Sequence, residues 1–544
     1  MIRFQPEGKV YANRGKETVM DCAQAAGVFV DNICGGNGTC GKCKVKVLVG
    51  DFSPVTEEEK KFFSEQEIKE GYRLACKLVP ESVFRPCEIE VTEEKNATVD
   101  AVASEEKLAF FQKCGDTITA QPKAGEQYGV AIDIGTTNME GVLWDLQKKQ
   151  CIAREIVANP QKQYGADVVS RIAFSLLKEE NFVQACNVLR KSIREMLKKL
   201  CDNVDQVELA ALTKIVVVAN AAMMHFFVGE KPDSLARAPY HTTYKEGRVL
   251  SGDFLGVPDA KVMLLPNLEG FVGADTAGVL AYFMDRVDLE HTITIDIGTN
   301  GEMIVGKDGA CYVASTAAGP AFEGASISCG MRAETGAVRG MQISDKQVVL
   351  EVIGNTEPKG VCGSGLISIV SSLFEAGAIE DTGYMRTAEE ARQAGCPEVI
   401  AGGLKESVDG NYFILYGKGD TCVSITQKDI RELQLAKAAI FAGMETMLQL
   451  CGLEKADLKK CYLAGAFGTW LPVEAAKKIG LLPDIPTEQL EAIGNGALLG
   501  GCRILLDESY FHKICELAGQ VVHISLSEEE TFKTAYMKAV SFPG

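Results

Sequence analysis

The chain has 544 residues, enough for two to four domains. Its 46% apolar and 24% charged residues are ordinary for a soluble globular protein. A formal net charge of −18 argues against nucleic acid or an anionic membrane as partner and suits transient docking of a protein.

Residues 1–92 read as one small unit. A helix is expected over residues 18–26, and two β-rich runs, KVKVLVG and CEIEVTEE, flank the segment CGGNGTCGKC. In that segment Cys34, Cys40 and Cys43 are spaced C-x5-C-x2-C on a glycine-rich loop, and Cys76 follows in RLACKL after 32 further residues. Thiolates clustered in this way hold iron and sulfide, and glycines at 35, 36, 38 and 41 let backbone N–H groups reach the sulfurs. A zinc site or scattered buried thiols is the alternative, but only Cys40 and Cys43 form the close knuckle that zinc ribbons use twice. The pattern therefore predicts a [2Fe–2S] cluster on Cys34, Cys40, Cys43 and Cys76, with Cys22 and Cys87 as bystanders. The chain carries 19 cysteines, and those in apolar or helical contexts, such as Cys201, Cys451 and Cys502, read as reduced, buried thiols. Together with an opening, MIRFQPEGKV, that has no signal-peptide pattern, they predict a reducing compartment, the cytoplasm.

From about Val91 to Gln127 the composition turns polar (EEKNATVD, SEEK, QPKAGEQ), so residues 93–127 are expected to be a linker with one short helix around residues 108–112. Beyond it helices and strands alternate, with an internal repeat. YGVAIDIGTTNMEGVLWDL begins at Tyr128 and TITIDIGTNGEMIVGKDG at Thr292, placing Asp133 and Asp296 in equivalent positions 163 residues apart. Each copy is an apolar strand, a DIGT turn and a second strand. Duplication at this separation predicts two similar α/β lobes, residues 128–290 and 291–544, around a cleft. The longest apolar stretch, IVVVANAAMMHFFVG from Ile215, is too short to span a membrane.

The turns suit phosphate. Gly135 permits an unusual backbone turn that exposes N–H groups, and Thr136, Thr137 and Asn138 add side-chain donors. Gly298, Thr299, Asn300 and Gly301 supply the same set in the second lobe. Asp133 and Asp296 end buried strands, where an unpaired charge is costly unless Mg2+ or its bound water satisfies it. No G-x4-G-K-[ST] segment is present, which excludes a Walker P-loop. CGSGL, with Gly363, Ser364 and Gly365, can open a helix toward phosphate. LAGAFG, with Gly465, Ala466, Phe467 and Gly468, would let the backbone approach a nucleoside.

In the order DIGTT, DIGTN, CGSG, AGAFG these segments resemble the two phosphate, connecting and adenosine motifs of the acetate and sugar kinase, Hsp70 and actin (ASKHA) superfamily. The N-terminal unit resembles an adrenodoxin-type [2Fe–2S] ferredoxin, having one loop residue more than the plant-type spacing. Joined in one chain they resemble the reductive activators of corrinoid proteins, and the resemblance includes NPQKQYGADVVSRI, LPNLEGFVGADTAG and AAGPAFEGASISCGM. It implies an α+β, β-grasp ferredoxin followed by an α/β two-lobed ATPase. It also implies ATP-dependent transfer of an electron from the cluster to Co(II), regenerating Co(I) in a methyltransferase system. The implied cofactors are a [2Fe–2S] cluster, ATP and Mg2+. The implied partners are a corrinoid protein, an upstream electron donor such as a flavodoxin, ferredoxin or reductase, and a second copy in a homodimer. Asp133 and Asp296 would arrange Mg2+ and the attacking water, Asp296 in the base-like role.

Two departures from the family pattern stand out. DIGTTN follows the linker directly, where longer relatives carry a small middle domain, and Ala219 precedes Asn220 where glycine is common. Asp275 is expected to cap a helix sooner than to line the cleft. Glu323 is read equally as a nucleotide contact or a residue that follows a strand, and His225 and His291 as packed side chains. The rival readings are a small-molecule kinase with a redox-sensing cluster, an ATP-dependent activator of a radical enzyme, and a nucleotide-gated binding protein. Fold alone does not separate them.

Overall fold

A computed structural model of the chain describes all residues except 7, 27, 29, 31–37, 39, 40, 42, 84, 92–103, 124, 166, 205, 206, 238, 239, 325, 345, 346, 419–421, 466–470 and 544. Cys34, Cys40, Ala466, Phe467 and Gly468 therefore lie outside the described residues, as does the first part of the expected linker.

The N-terminal unit is a five-stranded sheet: β1 (Ile2–Gln5), β2 (Lys9–Tyr11), β3 (Lys44–Val49), β4 (Tyr72–Leu74) and β5 (Cys87–Val91), in the order β2-β1-β5-β3-β4. β1 and β5 run parallel and the other pairs antiparallel, the β-grasp arrangement. Alternation puts Ile2 and Phe4 of β1 and Ile89 of β5 on one face, against Val19, Met20, Cys22 and Ala23 of the helix Val19–Ala25. Thr18 starts that helix, its hydroxyl taking the Asp21 N–H while the Asp21 carboxylate takes the Thr18 N–H.

The remainder is two sheets built to one plan. The first contains β6 (Tyr128–Ile134), β7 (Asn138–Asp145), β8 (Gln150–Ala158), β9 (Leu212–Ala219), β10 (Arg248–Ser251) and β11 (Lys261–Leu264), ordered β10-β11-β9-β6-β7-β8. The second contains β12 (Thr292–Ile297), β13 (Asn300–Lys307) and β14 (Ala310–Ala317). Lys460–Ala464 and Leu490–Gly494 lie beyond β12, and Val522–His523 beyond β14. In both, a three-stranded antiparallel meander carries parallel strands on the free side of its first strand. The repeat read from two hairpins thus extends to five strands per lobe. β9 is apolar along most of its length because helices cover both its faces. Two three-stranded sheets between residues 337 and 426 elaborate the second lobe.

Helix Ala274–Phe283, which leads out of the first lobe, crosses helix Gly496–Leu506, which leads back into it. A Cβ added at Gly500 would lie 1.8 Å from the Gly278 carbonyl oxygen, and one at Gly278 2.6 Å from that of Ala497. The two backbones touch, and only glycine allows it. Helices Gly496–Leu506 and Ser509–Ala518 follow the second lobe in the chain but pack into the core of the first. The linker helix is also longer than expected, Ser104–Thr117. It buries Phe111 and Cys114, with Ile118 beyond its end, against the first lobe, so this part of the linker belongs to the ATPase core. The apolar positions 108, 111, 114 and 118 have helical spacing that the surrounding charges mask. Among the described residues no helix is long and apolar enough to cross a membrane.

Candidate functional site

The ferredoxin unit brings two of the four predicted ligands together. The Cys43 and Cys76 sulfurs lie 3.3 Å apart and buried, too far for the S–S bond of about 2.05 Å and close enough to serve one cluster. The Ala75 N–H donates to the Cys43 carbonyl at 2.9 Å and ties the two ligand segments directly. Behind them Glu59, fully buried, takes two bonds from the Arg73 guanidinium at 2.8 and 3.0 Å and one from the Leu74 N–H at 3.0 Å. Burial alone would raise the Glu59 pKa. The Arg73 bonds and the Thr56 and Leu74 N–H groups outweigh burial and hold it below the ordinary value. The segment leading to Cys76 is pinned by that pair.

In the cysteine loop, Gly38 and Gly41 have φ of +78° and +68°, and a Cβ there would strike Lys77 and the Phe62 ring. The positive φ favours glycine at both positions, and at Gly41 the Phe62 ring also leaves no room for a side chain. The two buried, adjacent thiols of Cys43 and Cys76 fit an iron–sulfur cluster. Cys22 lies in the helix face of the core and Cys87 beneath Gly50; burial pushes the Cys22 thiol up to about 12 and raises that of Cys87. Their protonated thiols fit the bystander reading.

In the ATPase the two aspartates occupy matching places. Asp133 on β6 pairs in register with Glu140 on β7, and Asp296 on β12 with Glu302 on β13. Each lobe therefore presents an Asp–Glu pair on neighbouring strands. Asp275 joins them from the first turn of helix Ala274–Phe283; it is not the cap, a position held by Gly273. Burial pushes Asp133 up to about 8, Asp296 to about 7 and Asp275 to about 6, and raises Glu302 well above the usual carboxylate range. Mutual repulsion adds to the effect at Asp133, Asp296 and Glu302. Among the described residues Glu140 is the one of the five with an ion-pair partner, Arg154 at 2.5 Å. Among the described residues no three His, Cys, Asp or Glu side chains converge as direct ligands of one metal ion. The chemistry of the group is that of a buried anionic cluster which a cation shared with water and phosphate would neutralise.

Asn495 bridges Asp133 at 2.8 Å and Glu140 at 3.1 Å through its amide N–H groups, while its oxygen caps helix Gly496–Leu506 at the Leu498 N–H. The same residue that starts this helix therefore orients the first-lobe aspartate.

The phosphate-type loops are braced from behind. Asn220 donates to the Thr136 hydroxyl at 3.0 Å and caps helix Ala221–Val228 at the Met223 N–H. Asn159, fully buried, donates to the Gly135 carbonyl at 2.8 Å, and its own N–H reaches the Thr137 carbonyl at 2.8 Å. A Cβ at Gly135 would lie 2.5 Å from the Asn138 carbonyl oxygen. Ala219 completes β9 opposite Ile134 and is absent from the residues with positive φ, so the alanine costs nothing there.

In the second lobe the Gly298 N–H closes on the Asn300 carbonyl at 3.0 Å, Thr299 donates to Glu323, and Gly301 abuts Ile440. Gly363, Ser364 and Gly365 open helix Gly363–Glu375, which packs against the turn Pro320–Glu323. Gly465 has φ +89°, and a Cβ there would lie 2.6 Å from Asp296 Oδ1. The first residue of the adenosine-type segment thus touches the second-lobe aspartate. His225 is packed, its ring nitrogens 3.3 Å from the Glu230 carbonyl and 3.1 Å from the Thr242 hydroxyl.

Glu140, Glu302 and Asn495 were not singled out from the sequence. For the glutamates a signal was available: DIGTTNMEG and DIGTNGEM both carry Glu on the second strand, offset by one residue because the second turn is shorter. Asn495 had none, since it reaches β6 only through the fold.

Comparison with known proteins agrees with this geometry. Residues 2–81 match the family model described as a 2Fe-2S iron-sulfur cluster binding domain, 128–287 that of the RACo middle region, and 290–544 that of the C-terminal domain of RACo, the ASKHA domain. The corrinoid activation enzyme RamQ of Eubacterium limosum is 34% identical over 435 residues, covering 78% of this chain and 72% of that protein. A [Co(II) methylated amine-specific corrinoid protein] reductase of Methanosarcina barkeri is 24% identical over 451 residues, covering 76% and 77%. A solved structure of a reductive activator for corrinoid, iron-sulfur protein superposes with a TM-score of 0.69 at 27% identity, covering 100% of this chain and 98% of that one. An iron–sulfur ferredoxin unit joined to a two-lobed ASKHA unit defines the class, and the chain belongs to the family of reductive activators of corrinoid proteins.

Proposed function

We propose that this protein uses ATP to drive reduction of a corrinoid protein from Co(II) to Co(I) in a methyltransferase system. The observation that carries the reading is the union, in one chain, of a paired-cysteine ferredoxin site and a duplicated phosphate cleft. When bound at Cys34, Cys40, Cys43 and Cys76, the [2Fe–2S] cluster supplies one electron at a potential near roughly −400 mV for a plant-type centre. Each 59 mV by which cobalt lies below that value lowers the reduced fraction about tenfold, which is the reason to spend ATP.

The protein's own groups do the rest. The Gly135–Asn138 and Gly298–Gly301 turns hold the phosphates from opposite lobes, and Gly465 with the residues after it admits the nucleoside. Asp133 and Asp296 would hold Mg2+, which would neutralise phosphate charge, and Asn495 keeps Asp133 oriented. Closure changes the surface offered to the corrinoid protein, and hydrolysis resets it. An upstream flavodoxin, ferredoxin or reductase refills the cluster. The acidic surface favours transient docking, and the protein works in the cytoplasm, as a homodimer.

The test is anaerobic. Reduced protein is mixed with a Co(II) corrinoid protein, with and without Mg-ATP, and the Co(I) absorption band is followed. The band is expected only with ATP; its appearance at the same rate without ATP, or its absence with ATP, refutes the proposal.

A further inference from the structure

Two side chains of opposite charge, one in each lobe, use one polar atom in a local hydrogen bond and leave another buried and unpartnered among the described residues. Arg171, on helix Val168–Leu177, is 1% exposed. Its Nε donates to the Gly165 carbonyl at 2.9 Å and its Nη1 lies 3.8 Å from Met223 Sδ, while Nη2 is buried with no partner among the described residues. Met223 Sδ is in turn 3.3 Å from Asn159 Nδ2, the group that holds the Gly135 carbonyl. The guanidinium is thus linked to the first phosphate-type turn through Met223 and Asn159.

Glu323, in the turn Pro320–Glu323, mirrors it. Oε1 takes the Thr299 hydroxyl of the second phosphate-type turn, and Oε2 is buried with no partner among the described residues. Burial lowers the Arg171 pKa to about 10, and the charges of Asp167 and Glu323 oppose that fall. A buried guanidinium N–H and a buried carboxylate oxygen without partners each cost free energy, unless a ligand that accepts from one and donates to the other fills the gap.

We infer that Arg171 Nη2 and Glu323 Oε2 are catalytic groups of ATP hydrolysis, binding the terminal phosphoryl oxygen and the attacking water respectively. The inference rests on the ATPase reading above and deepens it. The water oxygen bonds to the terminal phosphorus as the bond from that phosphorus to the bridging oxygen of ADP breaks. The water proton passes to Glu323 Oε2 and from there to solvent. Arg171 neutralises charge on the departing phosphate, a contact stronger in the transition state than in bound ATP. The base-like role moves from Asp296 to Glu323, leaving Asp296 with the carboxylates that face the cation.

The test uses the full-length holoprotein and the variants Arg171→Gln and Glu323→Gln. Three quantities are compared: turnover of ATP, affinity for a non-hydrolysable ATP analogue, and affinity for vanadate in the presence of ADP. The expected result is turnover lowered about 10²-fold or more in each variant, the scale of losing one transition-state donor. Analogue affinity should stay within about threefold, while ADP–vanadate affinity falls roughly in step with turnover. Turnover within about threefold of the parent overturns the inference. So does a parallel loss of analogue and vanadate binding, which would mark Arg171 and Glu323 as a structural latch between lobes. If the parent protein neither binds nor hydrolyses ATP, the proposed function fails instead, so the two failures are distinguishable.

Discussion

The buried carboxylates make stability depend on pH in a direction opposite to that of a salt-bridged surface. Burial pushes Asp133, Asp296 and Asp275 up to about 8, 7 and 6, well above the ordinary carboxylate range. Between pH 4 and 8 the folded protein therefore binds protons that the unfolded chain has released, and stability falls as pH rises. Integrated from pH 6 to pH 8, Asp133 alone costs about 2 kcal/mol and Asp296 about 1 kcal/mol, with Asp275 adding less. At roughly 2 °C per kcal/mol for a unit of this size, the nucleotide-free ATPase should lose about 5–8 °C in Tm over that interval.

Asp133→Asn removes the largest share and keeps an oxygen for Asn495, so it should flatten the profile by about 4 °C. Magnesium with nucleotide should restore more stability at pH 8 than at pH 6, because it neutralises charges present only at the higher pH. Scanning calorimetry of parent and variant at four pH values, with and without Mg-ADP, measures all of this. A Tm that rises from pH 6 to pH 8 without nucleotide would refute the reasoning. An Asp133→Asn profile as steep as the parent's would do so equally.

Gly465→Ala should cost about 1–2 kcal/mol for a side chain in the left-handed region. It should also displace Asp296, now 2.6 Å from the added carbon, so ATP turnover should fall more than Tm does. Gly500→Ala forces apart the backbones at the helix crossing and should destabilise by about 1–3 kcal/mol, read as a Tm loss of a few degrees. Cys43→Ser or Cys76→Ser should lower iron and sulfide content and the reduced-state EPR signal while leaving ATP turnover within about twofold. Glu59→Gln, which breaks a buried bidentate pair, should cost about 3–5 kcal/mol and speed cluster loss without touching a cysteine.

Much of the architecture was legible because its signals are local and periodic. The two DIGT hairpins revealed the duplicated lobes, since a strand, a glycine turn and a second strand occupy consecutive residues. The cysteine spacing and its glycines pointed to the cluster for the same reason. The helix from Ser104 was read too short, because charges at its start hide an apolar face that only packing exposes. Asp275 was read as a cap because the first turn of a helix is where a lone aspartate most often belongs. Its place in the carboxylate group depends on Gly273 lying against Asn220 and Ala221, a contact between segments some fifty residues apart.

By itself the sequence determined the two modules and the paired strand-end aspartates, and it set the expectation of four cysteine ligands, of which Cys43 and Cys76 lie together. Tertiary structure alone decided that Asn495 turns back to hold Asp133 across 362 positions of chain. It alone set Gly465 against Asp296, and left Arg171 and Glu323 each with one buried polar atom unpartnered among the described residues. The physical reason is one of range. Strand pairing and turn geometry are written in neighbouring residues, whereas the partner of a buried polar group is chosen by whichever distant segment the core brings beside it.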